Sequence, residues 1–415
     1  MGTTLGIVVL ALAGVLIRPW KLPEALWAVL GAGALLILGL IPVADAARAV
    51  GRGADVYLFL IGMMVLAELA RHEGLFDWLA AFAVRHSRGS PLRLFGLIYV
   101  VGTLVTIFLS NDATAVVLTP AVFAAAKQAN AKPLPVLFIC AFVANAASFV
   151  LPISNPANLV VYGAHMPALA SWVAQFGLAS IAAVGVTYLM LRWSQRADLA
   201  GPIVSDIKIP ILSRGGRVAA AGIALTAMVL LVASGLDWRL GLPTFLAGCA
   251  TAAAIMVTGT LAPRTIAKGV SWSIVPLVAG LFVLVEAVEG TGVLKRLTAA
   301  LPAYSQMTPH TMGVAAGWVV AFASNVLNNL PMGLLAGSVA TRAHLSPSIT
   351  GAMLIGVDLG PNLSVTGSLA TLLWLVALRR DGQEVSGWHF LRQGCFVMPP
   401  ALLAALLTFL WTHRV

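Results

Sequence analysis

Charge is what this 415-residue chain has least of: 25 Lys and Arg with 15 Asp and Glu, 10% of the sequence, where a soluble domain carries about 25%. With 60% hydrophobic residues and a mean hydropathy of +0.96, a soluble fold of this length could not hide its apolar surface. Cysteine is also scarce. Cys140, Cys249 and Cys395 lie far apart in apolar runs and read as small core residues, a spacing that excludes a disulfide scaffold and a thiolate metal site. Paired catalytic acids, a Ser-Lys pair and a His-Glu metal motif are missing, which argues against an enzyme. The net charge of +10 has no basic domain and no aromatic-basic interleaving behind it. Nucleic acid is therefore not a partner, and the cations belong to loops that orient helices in lipid. The alternating segments of a membrane barrel, about ten residues each, are absent too. So are a basic segment and a small-residue cleavage site around the first apolar run, 4–17, and no removable signal is expected.

What is present is a series of long apolar runs, the signature of membrane-spanning helices. Spans are expected near 3–17, 25–41, 55–70, 168–193, 217–235, 242–258, 273–289 and 390–412. Two more, 133–162 and 347–378, are each interrupted by a polar break, for ten crossings in all. The stretches 91–127 and 309–342 fold about polar centres. Their legs look short, so they are expected to be re-entrant hairpins. The segment 74–88 has an amphipathic period and is expected at the interface.

The halves match locally. Gly62-Met63-Met64-Val65-Leu66-Ala67-Glu68 resembles Gly280-Leu281-Phe282-Val283-Leu284-Val285-Glu286, and each precedes a hairpin and a broken span. The expected fold is an all-α polytopic membrane protein of two repeats, 1–193 and 217–415, joined by a polar linker, 194–216. Each repeat holds five crossings (one broken) plus a re-entrant hairpin. Five is odd, so the second repeat enters from the opposite face, which makes the topology inverted. By this plan 18 of the 25 Lys and Arg fall on one side and 7, including Lys295, Arg296 and Arg414, on the other. The richer side is expected to be cytoplasmic. The termini then face outward, and the hairpin 91–127 opens from the cytoplasm.

Four polar breaks carry the chemistry. They are Ser110-Asn111-Asp112-Ala113-Thr114, Ser154-Asn155-Pro156-Ala157-Asn158, Ser324-Asn325-Val326-Leu327-Asn328-Asn329, and Asp358 through Asn362, Ser364, Thr366 and Ser368. Unwound backbone at membrane depth survives only where protein or a water-filled cavity shields it from lipid. Paired breaks in matching places point to a transporter's binding site. Capping of broken helices would account for each Asn or Ser taken singly; four breaks together point to a site. Their Ser, Thr, Asn and Asp side chains are the candidate solute contacts, offering both donors and acceptors. None of the four contains Lys or Arg, which suits a small, neutral or weakly charged, hydroxyl-rich solute. An acid at that depth must be neutral, paired or in a wet cavity. Asp112 and Asp358 are therefore the candidate proton-coupling groups. Glu68 and Glu286 are assigned structural pairings, with hairpin backbone or, for Glu68, with Arg71. Glu289 is placed in water near the interface. His165, His310 and His344 lie by expected loops and are read as solvated.

The motifs resemble those of a known family. Ser110-Asn111-Asp112 through Leu118-Thr119-Pro120, Ser154-Asn155-Pro156-Ala157-Asn158-Leu159-Val160 and Asn328-Asn329-Leu330-Pro331 are similar to segments of the arsenite efflux permeases, the bacterial arsenical pump membrane proteins of the ion transporter superfamily. Gly356-Val357-Asp358-Leu359-Gly360-Pro361-Asn362, continuing to Gly367-Ser368-Leu369-Ala370-Thr371-Leu372-Leu373-Trp374-Leu375, is the most specific of them. The resemblance implies a secondary antiporter in the bacterial plasma (inner) membrane. It would expel arsenite and antimonite as neutral trihydroxides in exchange for protons, with no cofactor beyond the proton gradient. It also implies membrane lipid, a homodimer and a cytoplasmic arsenite-stimulated ATPase as partners. It places Asn111, Asp112, Asn155, Asn158, Asn325, Asn328, Asn329 and Asn362 around the solute. Asn362 stands where relatives carry a basic residue. The rival readings are a sodium-coupled anion carrier or sodium/proton antiporter of the same superfamily and, more remotely, a channel.

Overall fold

The computed structural model describes the chain except residues 164–165, 259–260, 294–307, 381 and 414–415. His165, Lys295, Arg296 and Arg414 thus lie outside the described residues. No strand occurs among the described residues. The chain is an all-helical, multi-pass membrane protein. Six described helices are long and apolar enough to cross a membrane, and a pair bent by 43° makes a seventh.

The first half runs α1 (Gly2–Ile17), α2 (Glu24–Ile37), α3 (Val43–Arg52), α4 (Ala54–His72), α5 (Leu75–His86) and α6 (Pro91–Phe108). A π-helical turn, Ala113–Leu118, then leads into α7 (Thr119–Gln128), followed by α8 (Pro133–Ala146), α9 (Pro156–Tyr162) and α10 (Leu169–Ser194). The second half runs α11 (Arg214–Gly235), α12 (Gly241–Val257), α13 (Pro263–Gly269), α14 (Ile274–Gly290), α15 (Pro309–Leu327), α16 (Asn329–Arg342), α17 (Pro347–Leu359), α18 (Leu369–Arg380) and α19 (Gly387–Thr412).

Both interrupted spans are broken where proline removes a backbone donor. Pro152 and Pro156 separate α8 from α9, and Pro361 lies in the turn between α17 and α18. The hairpins differ from expectation. Their second legs are short, but the first legs, α6 and α15, have 18 and 19 residues. Both are long and apolar enough to cross. Their apolar runs end only at the polar tips, so the legs take up the whole run. Helix α5 buries Leu75, Phe76, Ala80, Ala81, Ala83 and Val84, and packs on α6 and α7.

The helices pack in two groups. In one, α4 lies on α12 and α14 on α2. Small residues allow the close approach: a Cβ on Gly62 would sit 2.6 Å from the Thr244 backbone, and one on Gly280 would sit 2.8 Å from the Ala28 backbone. These two glycines open the matched stretches of the two halves. In the other group, α6 packs on α8, α15 on α17, and α10 on α19. The second leg of each hairpin packs on the far piece of the other half's broken span. The π turn and α7 lie on α18, and α16 lies on α9. There Gly337 comes so near that a Cβ would be 2.6 Å from the Val161 carbonyl oxygen. This crossing of partners brings the polar breaks into one region.

The linker is not a slack tether. Ile203 N–H donates to Gly89 O at 3.1 Å and Val204 N–H to Ala129 O at 2.8 Å. Lys132 pairs with Asp198 at 2.6 Å, Arg85 pairs with Asp206, and Ser213 bonds Glu73 at 2.6 Å. The segment therefore straps both feet of the first hairpin.

Candidate functional site

Each break starts a helix, and its side chains cap that start. At the first tip, Ser110 Oγ accepts from Ala113 N–H at 3.2 Å and Asn111 Oδ1 from Asp112 N–H at 2.9 Å. Thr114 lies inside the π turn with its Oγ1 2.8 Å from Thr106 Oγ1. A π turn opens the i→i+4 ladder and is common at functional sites. Asp112 is half-buried, and no hydrogen bond or ion pair of its carboxyl group occurs among the described residues. The amide nitrogen of Asn111 is likewise without a partner there.

In the first broken span, Ser154 Oγ donates to Ile107 O at 3.1 Å, which ties the break to the hairpin's first leg. Asn155 Oδ1 caps α9 at Ala157 N–H, 3.0 Å. Asn158 Nδ2 donates to Ser148 O at 2.8 Å, Leu151 O at 3.2 Å and Pro152 O at 3.3 Å, so it closes the unwound loop.

The second tip is more fully bonded. Ser324 Oγ donates to Val320 O at 2.9 Å. Asn325 Nδ2 donates to Ala321 O at 2.8 Å and Gly360 O at 3.0 Å, while its Oδ1 accepts from Ser364 at 2.7 Å. Thr366 Oγ1 donates to Asn325 O at 2.8 Å and lies 3.0 Å from Ser364 Oγ. Asn328 turns the chain at φ 73° and ψ 153°, a strained combination that glycine alone adopts easily. Its Oδ1 caps Leu330 N–H at 3.4 Å and its Nδ2 reaches Thr366 O at 3.4 Å. Asn329 N–H donates to Gly367 O at 2.8 Å; its side chain is unbonded among the described residues. Ser368 Oγ accepts from Thr371 N–H at 3.1 Å. The approach of Gly360 to Ala321 is close enough that a Cβ would sit 2.5 Å from the Ala321 Cα.

The two halves meet through side chains at the broken spans. Asn155 Nδ2 donates to Asp358 Oδ1 at 2.7 Å. Asn145 Nδ2 donates to Asn362 Oδ1 at 3.0 Å, and Asn362 Nδ2 to Phe142 O at 3.0 Å. Asn145, Asn158, Asp358 and Asn362 are all 0% exposed. Three buried acceptors in this region have no donor: Asp358 Oδ2, Asn145 Oδ1 and Asn158 Oδ1. A buried polar atom without a partner is costly and asks for an explanation. Among the described residues no hydrogen bond joins the two hairpin tips. Sequence reasoning missed Asn145 and Thr371, which lies 3.3 Å from the Asn145 amide. A lone Asn inside an apolar run was the available signal.

Glu68 forms a two-pronged bond with Arg71, at 2.8 and 2.6 Å, as expected. Glu286 pairs with Arg52 instead of hairpin backbone. Glu289, expected in water, is buried to 8% side-chain exposure and bonds Arg342 and Ser338 of α16. Ser338 and Arg342 at the second hairpin's foot draw it inward. The cysteines are scattered as expected, but only Cys140, on α8, is a core residue; Cys249 on α12 and Cys395 on α19 are exposed, on helix faces turned away from the packed interior. No group of three or more metal-ligating side chains occurs among the described residues.

The chain is 27% identical over 366 residues to an arsenical pump membrane protein of Yersinia enterocolitica, covering 83% of each chain. It is 26% identical over 421 residues to the protein of that name in Escherichia coli strain K12, covering 96% of each. An uncharacterized transporter of Mycobacterium tuberculosis strain H37Rv is 25% identical over 429 residues, 99% of this chain and 98% of that protein. In fold the chain is similar to the Alcanivorax borkumensis YdaH transporter, with a TM-score of 0.61 and 15% identity over 88% of this chain and 87% of that one. Neisseria gonorrhoeae MtrF gives 0.52 and 13% over 90% and 84%. The model of one family, described as citrate transporter, matches residues 8–377. The chain is thus a membrane transporter, not an enzyme, and belongs to the CitMHS family.

Proposed function

We propose that this transporter expels arsenite and antimonite as neutral trihydroxides in exchange for protons. The observation that carries the reading is the seam between the halves. Its unsatisfied groups are acceptors, Asp358 Oδ2, Asn145 Oδ1 and Asn158 Oδ1, and no Lys or Arg stands in any of the four breaks. A trihydroxide brings hydroxyl donors to such acceptors and needs no countercharge. A citrate-like anion would bring several carboxylates to breaks that contain Asp112 and Asp358 and no Lys or Arg. Relatives named arsenical pump membrane proteins, similar over most of the chain, support the same reading.

Asp112 and Asp358 are the proton-coupling groups in this proposal. Asp112, half-buried with a free carboxyl group, exchanges protons with water; Asp358, tied to Asn155, carries charge state into the contact between halves. Two inverted repeats, 1–193 and 217–415, account for the exchange of packing partners between the halves. They supply one hairpin for each face of the bacterial plasma membrane. The termini face outward, and a homodimer and a cytoplasmic ATPase are further expectations of this reading. The scatter of the cysteines keeps thiolates out of the solute site.

The second reading, a sodium-coupled anion carrier, is favoured by the family's description as citrate transporter. One experiment separates the two. Arsenite accumulation is measured in a sensitive host, with and without the chain, and uptake into everted vesicles is followed under imposed pH or sodium gradients. Arsenite uptake driven by the pH gradient alone is expected. Sodium-dependent citrate transport without arsenite movement would overturn the proposal.

A further inference from the structure

A cleft of about 1170 Å³ opens between the two helix groups. Its walls come from α3, α4, α14 and the α11–α12 turn on one side, and from α9 and α16 on the other. It lies among charges: Arg52, Asp55, Arg239, Glu286, Glu289 and Arg342 all line it. Most of these stay within one helix group. Arg52 holds Glu286 between α3 and α14, and Asp55 Oδ1 accepts from Gly241 N–H at 2.9 Å. Glu289 alone among the cleft's described acids reaches across. From α14 it bonds both Ser338 and Arg342, one helical turn apart on α16.

Among the described residues the first half shows no such bridge. Arg71 and Glu289 each lie three residues beyond the matched Glu68 and Glu286. Arg71 folds back on Glu68 of its own helix. Where one half carries a self-paired cation, the other carries an acid that grips the second leg of a hairpin.

We infer that Glu289, with Ser338 and Arg342, is a latch that fixes the width of this cleft. The pair joins α14, which is packed on α2 through Gly280, to α16, which is packed on α9 through Gly337. Both are close helix contacts, one inside each group. Relative motion of the groups must therefore break the Glu289 bonds before α9 and α16 can move from α14. The latch regulates the transport cycle described above and rests on that reading for its role. Its existence as a mechanical link does not depend on which solute is carried.

The test uses a full-length chain with the three native cysteines replaced by serine and a single V160C, in the wall of the cleft and 8% exposed. In proteoliposomes without any solute gradient, the rate of modification by a charged maleimide is measured. Glu289→Gln and Arg342→Gln should each speed labelling about fivefold, the effect of losing a partly exposed ion pair. Arg342→Lys should label at the parent rate, and the exchanged pair E289R/R342E should return to within about twofold of it. Parent-rate labelling in both Gln variants, or failure of the exchanged pair to restore it, would overturn the latch. Because labelling needs no substrate, a chain that carries no arsenite yet shows these rates would sink the proposed transport and leave the latch standing. A transporting chain with unchanged rates would do the reverse.

Discussion

The two hairpins occupy corresponding places in the two halves, yet they are held differently. The first is loose at its tip and tied at its feet: the Asp112 carboxyl group has no partner among the described residues, a π turn opens the ladder behind it, and the linker's backbone grips Gly89 and Ala129. The second is tied at its tip, where Asn325 and Asn328 bond the backbone of the last break, and its foot is held by side chains of α14. Equivalent position therefore does not mean equivalent work. Most polar groups of the second tip are occupied, Asn329 excepted, while the first tip keeps a carboxyl group without a partner among the described residues.

That contrast can be broken in several places. The largest effect is expected at Asp112→Asn, which should reduce pH-driven arsenite uptake in everted vesicles to background while leaving the chain inserted in the membrane fraction. Normal uptake would remove the chemical role given to the first tip. Next, Gly360→Val should destabilise the second tip by roughly 1–3 kcal/mol, because its side chain meets Ala321 backbone that cannot retreat. A thermal unfolding shift measures it. Asn325→Ala should cost a similar or smaller amount, about 1–3 kcal/mol, through the acceptors and donors it leaves unpaired. If its loss instead abolished solute binding with stability unchanged, the second tip would be a contact and not a wall. Val204→Pro removes one strap hydrogen bond, worth about 0.5–1.5 kcal/mol, and should chiefly quicken proteolysis of the linker. Smallest of all, replacing Cys140, Cys249 and Cys395 together with serine should leave transport within about twofold, since hydroxyl recognition and not thiolate capture matches fast release.

The breaks were legible because polar residues stand out against apolar sequence and proline marks where helices stop. The structural role of Glu68 was legible for a similar reason, since Arg71 lies on the same helix face. The length of α6 and α15 was not, because an apolar run carries no internal sign of where lipid begins. Asn145 was overlooked as a single polar residue in a long run, and its importance comes from Asn362, 217 positions away. The strap was invisible for a deeper reason. Its bonds at Ile203 and Val204 are made by backbone, which every residue has, so side-chain identity announces nothing.

Cys249 and Cys395 have a use that their exposure makes available. One sits on α12 of the first helix group and the other on α19 of the second, and both are exposed while Cys140 is sealed. The unmutated protein thus already carries a pair of spin-label anchors, one on each helix group. Electron–electron dipolar distances between them would measure any change in the separation of the groups without engineering a single residue.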